Sequence, residues 1–449
     1  MIGFETIGNA TLILHDDRPL LATDPWLSGR AYFGSWGLPY EIPSAQEESI
    51  LGCRYVWISH GHPDHLDVES IARLTDKEFL LPDHVGGRIA RDLRKLGLNV
   101  RILPDRKWVR ISPHIEILCI SDFYQDAILL ANVNGRLLVN INDASDRGWG
   151  RSVRKIARRF PQSFLLKLFG HGDVDMNNFF DEDGRRCVPL VKRPLGAQIS
   201  FWAAIFGTRW VVPFSSTHRY QRTDSLWANE WVASFEDYRE GLVESRFELL
   251  PAFIRWDCQT DTFEEISPRS LTLKPQEPEA FGDSWSDVLG ADDLARLQSY
   301  VRARKLLQTH FGFVRFVVGG KENLIEVDPS KRHVGISFEV PRTSLMAAVE
   351  HEIFDDLMIG NFMKATLHGV DQAEFDRYFK RPVCKLGDNG RAMSDKEVAR
   401  YFATYRRRAP VEYVLRAFQD ESERRFRNVV KRDSPLFEFA KRAYRRAQL

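Results

Sequence analysis

The sequence contains no apolar run that approaches the length of a bilayer span, which excludes a membrane-spanning helix. It carries no excess of charge: 63 Lys and Arg stand against 62 Asp and Glu. Composition therefore supplies no general attraction to nucleic acid or to an anionic membrane, and neither is expected as a partner. Cysteine is scarce. Cys53, Cys119, Cys187, Cys258 and Cys384 are odd in number, far apart, and form no C-x-x-C. That pattern argues against a disulfide framework and for reduced thiols in a cytoplasm. The first residues, Met1-Ile2-Gly3-Phe4-Glu5, lack a basic-then-apolar leader and enter strand-like sequence directly. No internal repeat or low-complexity tract is present. The C-terminal stretch is helical in pattern and basic, with Arg406-Arg407-Arg408 and Arg424-Arg425, but no aromatic-basic stacking motif accompanies it. A solvated helical surface is the expectation there.

What the chain does have is one dense polar cluster. Ser59-His60-Gly61-His62-Pro63-Asp64-His65 follows Tyr55-Val56-Trp57-Ile58, an apolar run with the character of a buried strand. Gly-His-Pro cannot continue that strand, so the cluster falls on a strand-end loop. Neutral imidazoles and carboxylates are the usual ligands of catalytic zinc, iron and manganese. His60 and His62 are two apart, so an extended backbone points both to one side. Asp64 and His65, just past the turn, reach a second position beside the first. The alternative is a polar surface loop, but ligands packed this densely point to a metal site. Asp67 and Ser70 then suggest the start of a helix carrying Ile71 and Leu74.

H-x-H-x-D-H resembles the signature of the metallo-β-lactamase superfamily. The resemblance implies an α/β fold, an αββα sandwich, with two divalent metal ions. In this family an Asp at the position of Asp24, in Asp24-Pro25-Trp26-Leu27, orients the ligands. Asp64 and Asp24 are accordingly the candidate catalytic carboxylates. The Asn134-Gly135 turn joins two apolar runs, Ala127–Ala131 and Leu137–Ile141, as a hairpin. Asp143 beyond it matches the family's bridging Asp. The Asn140-x-x-Asp143 context is similar to the cytidine monophosphate-N-acetylneuraminic acid hydroxylases in particular, although this chain has no C-x-H…C-x-x-H of a Rieske cluster. His218, after the strand-like Trp210–Phe214, fits the family's last His ligand.

One departure matters. The family's third His, expected before the hairpin, is missing from Ser121-Asp122-Phe123-Tyr124-Gln125-Asp126. The hydroxylase pattern puts Asp122 at that place. Three readings stand: Asp122 is a ligand, Tyr124 or Asp126 substitutes, or the first position is weak. A carboxylate there hardens the site and leans it toward iron or manganese over zinc. The metal set is thus His60, His62, Asp64, His65, Asp122, Asp143 and His218.

Elsewhere, residues 68 to 104 alternate helix and strand, a rhythm of helices covering a sheet. His84 falls between two of these elements, where helix N-capping or solvent exposure is expected. Arg151, Arg154, Lys155, Arg158 and Arg159 share a helix with Val153, Ile156 and Phe160 and form its solvated face or an anion-binding surface. The Gly170–Asn178 loop has part of a calcium-loop pattern but lacks the Gly and terminal Glu of an EF-hand. The hydroxylase resemblance places His171 and Asp173 by the substrate. Arg219 pairs with a substrate anion or forms a surface ion pair.

Length alone implies two domains. A Pro-rich stretch near 267–278 divides 1–265, the metallo-β-lactamase-like catalytic part, from 266–449, a smaller C-terminal α+β domain. Phe354–Gly360 resembles the C-terminal part of the same hydroxylases, and a lid or packing role over the cleft is expected of this domain.

Two reactions fit such a centre on a small-molecule substrate. An iron-dependent oxygenase of a nucleotide- or sugar-like molecule is favoured, with electrons from a separate donor protein. The alternative is a zinc- or manganese-dependent hydrolase of an ester, amide or phosphoester. A third, non-enzymatic reading is a degenerate binding module without metal.

Overall fold

The structure, a computed structural model, describes residues 1–27, 29–168, 177–187, 190, 195–215, 217–243 and 247–429. Eight strands form one sheet in the order Thr262–Glu265, Ile254–Asp257, Ile2–Ile7, Thr11–Asp16, Arg18–Thr23, Tyr55–Trp57, Glu78–Leu81 and Asn99–Ile102. Seven form a second, in the order Glu248–Leu249, Trp210–Pro213, Ser163–Lys167, Arg136–Asn142, Ala127–Val133, Ile115–Ser121 and Trp108–Arg110.

The two-residue period of a strand decides which side chains meet. Leu12, Leu14, Tyr55, Trp57 and Leu80 of the first sheet join Ile117, Cys119, Leu129, Ala131 and Leu166 of the second in one buried cluster. Their sequence neighbours turn outward. Ile13, Val56, Phe79 and Leu81 pack on Ile50, Ile71, Ala90 and Leu93, carried by helices Ser44–Gly52, Val68–Ala72 and Arg88–Lys95. Leu118, Ile120, Leu130 and Val139 pack on Val153, Ala157, Ile199 and Ala203, carried by helices Gly150–Ala157 and Gly196–Phe206. The arrangement is helix, sheet, sheet, helix, the αββα sandwich expected.

Phe164 sits at the centre of the sheet-to-sheet layer. Its ring lies 4.9 Å from Phe4, 4.6 Å from Trp210 and 4.7 Å from Trp256, and none of it is exposed. Phe164→Ala is expected to cost about 3–5 kcal/mol, because a close-packed interior closes poorly over a missing ring. Urea unfolding checks this; a loss below about 1 kcal/mol contradicts the packing described.

A third sheet orders Phe179–Phe180, Lys364–His368, Gly335–Glu339, Phe313–Val318 and Lys321–Glu326. With helices Ala291–Ala303 and Arg342–His351 it encloses a separate core around Phe316, Phe338, Phe354 and Phe379. This is the α+β part expected toward the C-terminus. One of its strands comes from the N-terminal half: Phe179 pairs with Ala365 and Phe180 with Thr366. Two residues are too few to show a period, so the sequence reads only as loop there. Among the described residues no helix is long and apolar enough to cross a membrane.

Parallel pairing brings the site to one edge. Arg18–Thr23 runs parallel to Tyr55–Trp57, and Arg136–Asn142, Ser163–Lys167 and Trp210–Pro213 run parallel to one another. Within each parallel set the strands share the edge at which they end. Three residues there are left-handed: Asp24 (φ 40°), Asn142 (φ 54°) and Ser215 (φ 58°). Such backbone costs about 1–3 kcal/mol per residue and persists where surrounding contacts over-determine it.

Candidate metal centre

Asp24 is the anchor of the site. Fully buried, its carboxylate accepts the Ser59 backbone N–H at 2.7 Å, the Ser59 hydroxyl at 2.8 Å and the Asn142 side-chain amide at 2.9 Å. It also lies 3.1 Å from His65 Nδ1. Burial pushes its pKa up, against the pull of His65 and Ser59. Because the Ser59 hydroxyl proton goes to Asp24, Ser59 Oγ accepts from His60 Nδ1 at 2.9 Å. His60 Nε2 is then left with a lone pair, and burial drives the His60 pKa well below its usual value, helped by His65 and His62.

His65 shows the complementary pattern. With Nδ1 turned to Asp24, its buried Nε2 makes no hydrogen bond among the described residues. That nitrogen lies 3.2 Å from Asp64 Oδ2 and 3.3 Å from Asp143 Oδ2. Burial disfavours charge on His65, but Asp64, Asp143 and Asp24 outweigh it and hold its pKa well above the usual value. Asp64 is buried too. Asn9 donates to its Oδ2 at 2.8 Å and the Tyr32 hydroxyl to its Oδ1 at 2.5 Å. Asp143 accepts from the Ser215 hydroxyl at 2.8 Å and keeps a quarter of its side chain exposed.

Among the described residues, donor atoms within 4.8 Å of one another form two groups: His60, His65 and Asp143, and His62, Asp355 and Asp356. Imidazole nitrogens and carboxylates are the donor set of zinc, iron and manganese. An orphaned ring nitrogen beside two carboxylate oxygens is the local chemistry that a divalent cation satisfies. The residues present fit a metal.

The positions chosen from sequence divide as follows. His60, His62, Asp64, His65, Asp143 and Asp24 lie together. His218 lies outside both groups: it is buried, stacks on Trp36 at 3.4 Å with 4° between the rings, and meets Tyr220 edge-on at 5.6 Å. Tyr32 packs on the same Trp36 at 4.4 Å, so aromatic contacts connect His218 to Asp64. Asp122 is also outside both groups. Its carboxylate accepts the backbone N–H of Asp126 at 3.2 Å and that of Tyr124, holding its own turn. Burial and the neighbouring Asp126 push its pKa up to about 7. Arg219 donates to the His218 carbonyl at 3.3 Å and is half-buried. His171 and Asp173 lie outside the described residues.

His84 corrects an expectation. It caps no helix and is not solvent-exposed; Gly87 precedes Arg88–Lys95, and His84 Nε2 donates to the Ser59 carbonyl at 3.2 Å. It braces the metal loop from behind. Asn9, Tyr32, Ser59 and Ser215 were not singled out from sequence, since isolated polar residues near strand ends give no periodic or spacing signal.

No protein-family model matches the chain. The cytidine monophosphate-N-acetylneuraminic acid hydroxylase of Danio rerio is 28% identical over 154 residues, 32% of this chain and 26% of that protein. The chain thus matches about a quarter of that relative's length. A metallo hydrolase of Ignicoccus hospitalis, Igni18, superposes at a TM-score of 0.37 with 12% identity, covering 59% of this chain and 98% of that one. CmlA, a diiron beta-hydroxylase of Streptomyces venezuelae, superposes at 0.33 with 15% identity, covering 59% and 54%. Both superpositions are loose. The H-x-H-x-D-H loop, the αββα sandwich that presents it and the sequence similarity together make this chain a metallo-β-lactamase-fold protein, similar over about a third of its length to the cytidine monophosphate-N-acetylneuraminic acid hydroxylases.

Proposed function

We propose that the chain is an enzyme that holds two divalent cations, iron favoured, and hydroxylates a small nucleotide- or sugar-like molecule with electrons from a separate donor protein. The observation that carries this reading is the donor chemistry around His60 and His62. The carboxylates Asp64 and Asp143 stand with the imidazoles, and Asp355 and Asp356 lie beside His62. Oxygen donors favour iron and manganese over zinc. When bound, an iron pair supplies the redox chemistry that such a reaction needs. The chain's own residues hold and orient. His60, His62, Asp64, His65 and Asp143 form the proposed cation-holding set, and Asp24 fixes two of the imidazoles through Ser59 and directly. Lys385 Nζ, 3.8 Å from Asp355 Oδ2, offsets part of the buried negative charge. The division at residue 265 belongs to this proposal, with Phe179–Phe180 crossing it.

A second reading is hydrolysis of an ester, amide or phosphoester, with zinc or manganese lowering the pKa of water. The partial exposure of Asp143 favours it, since water reaches the carboxylate. Elemental analysis of aerobically purified protein, with an optical spectrum under O₂, separates the two. About two irons per chain and an O₂-dependent spectral change are expected. Stoichiometric zinc without iron would end the oxygenase reading, and absence of any metal would end both.

A further inference from the structure

We infer that the C-terminal α+β domain is part of the metal centre: Asp355, from the start of helix Phe354–Ile359, fixes His62 in the orientation and tautomer that can bind a cation. The inference rests on the metal-binding reading above and adds a residue distant in sequence as a positioning residue. His62 Nε2 lies 3.0 Å from Asp355 Oδ2. An ionised carboxylate only accepts, and the Lys385 ammonium stands 3.8 Å from the same Asp355 oxygen. His62 Nε2 must therefore carry the proton and donate it. That leaves the lone pair on Nδ1, which faces His60 Nε2 at 2.8 Å. The Ser59 contact has already placed a lone pair on that His60 nitrogen. Two acceptor nitrogens at this separation repel unless a proton or a cation lies between them. A carboxylate on the far nitrogen of a ligating imidazole fixes its tautomer, turns its ring and raises its basicity.

Asp355 is held firmly enough for this task. It is 2% exposed. The helix that carries it begins with Phe354 N–H donating to Asp388 Oδ2 at 3.2 Å, and Asp388 is tied to Tyr300 at 2.9 Å and to Arg304. From the other side, Arg88 of the sandwich donates to the Glu352 carbonyl at 2.7 Å, to Asn389 at 3.0 Å and to the His351 carbonyl. The two parts of the chain are thus pinned together within a few residues of Asp355. Lys385 bridges Asp355 and Asp126 from the same domain. Lys385 thereby reaches Asp126, in the stretch where the family's third His is missing, so the C-terminal domain builds one wall of the centre rather than covering it loosely.

The test is metal titration of the full-length protein with Co²⁺ or Fe²⁺ under anaerobic conditions, alongside ¹⁵N imidazole spectra of the zinc-loaded wild type. Asp355→Ala is expected to weaken one of the two sites roughly 10- to 100-fold and to leave the other unchanged, and Asp355→Glu to restore part of the loss. The His62 ring is expected as the Nε2–H tautomer, with a slowly exchanging proton. A folded Asp355→Ala protein that binds both ions as the wild type does overturns the inference, as does an Nδ1–H tautomer at His62. The spectra of the wild type decide the matter if the alanine variant does not fold. A wild type that binds no metal overturns the proposed function itself, which distinguishes that failure from the failure of Asp355 alone.

Discussion

Asp24→Ala is expected to lose metal and stability together. The residue is fully buried and satisfies the Ser59 N–H, the Ser59 hydroxyl and the Asn142 amide, with His65 Nδ1 beside it. Removing it strands several buried donors at once. Each unmet group costs about 1–3 kcal/mol, and a broken buried network of this kind typically costs about 3–5 kcal/mol. The effect on metal follows from the same contacts. Without the carboxylate, Ser59 no longer holds the His60 tautomer and His65 loses the partner of its Nδ1. Both imidazoles can then turn, and binding falls by at least the roughly 10- to 100-fold seen for orienting partners. Asp24→Asn keeps the shape but not the charge and is expected to fall between the alanine variant and the wild type. Urea unfolding and metal analysis on the same preparations check both halves. A variant with wild-type unfolding midpoint and wild-type metal content would remove Asp24 from the centre.

Asp143→Ala separates the two effects. A quarter of this side chain is exposed, and besides the two imidazoles it accepts one hydrogen bond, from Ser215. Its removal is structurally cheap, within about 1 kcal/mol. For metal it is costly. Asp143 Oδ2 stands 3.3 Å from His65 Nε2, which makes no hydrogen bond among the described residues, and 3.7 Å from His60 Nε2. If Asp143 serves both cations, as proposed above, its loss is expected to exceed the loss for any orienting residue. The measurement is metal content after dialysis against weak chelator, with turnover assayed once a substrate is known. Retention of two ions per chain would show that Asp143 does not lie between them.

Particular residues show where sequence reading reached and where it stopped. The H-x-H-x-D-H loop was legible because its donor groups are local: strand, turn and spacing alone put His60, His62, Asp64 and His65 together. Asp143 and Asp24 were reachable by resemblance, since each ends a strand of a known sheet order. The helices Val68–Ala72 and Arg88–Lys95 and the Asn134-Gly135 hairpin followed from period and turn chemistry. Asp122 illustrates the limit. The hydroxylase resemblance offered it, as one of three readings, where a ligand belongs; its carboxylate accepts from the N–H groups of Tyr124 and Asp126, a local bond available to a short acidic side chain whatever its place in a family. His84 differs likewise: expected to cap a helix or face solvent, it is half-buried and bonded to Ser59, 25 residues away, which offers it a carbonyl.

By itself the sequence determined the strands, the hairpin and the loop that carries the imidazoles, because alternation and turn residues act over a few positions and need no knowledge of what lies opposite; the sandwich came only with the family resemblance. Only the tertiary structure decided which groups surround His62. Asp355 is 293 residues away along the chain, on a helix whose own pattern speaks for core packing alone. Its approach depends on how one folded part seats against the other through Arg88, Asp388 and Lys385, and no local periodicity encodes that seating.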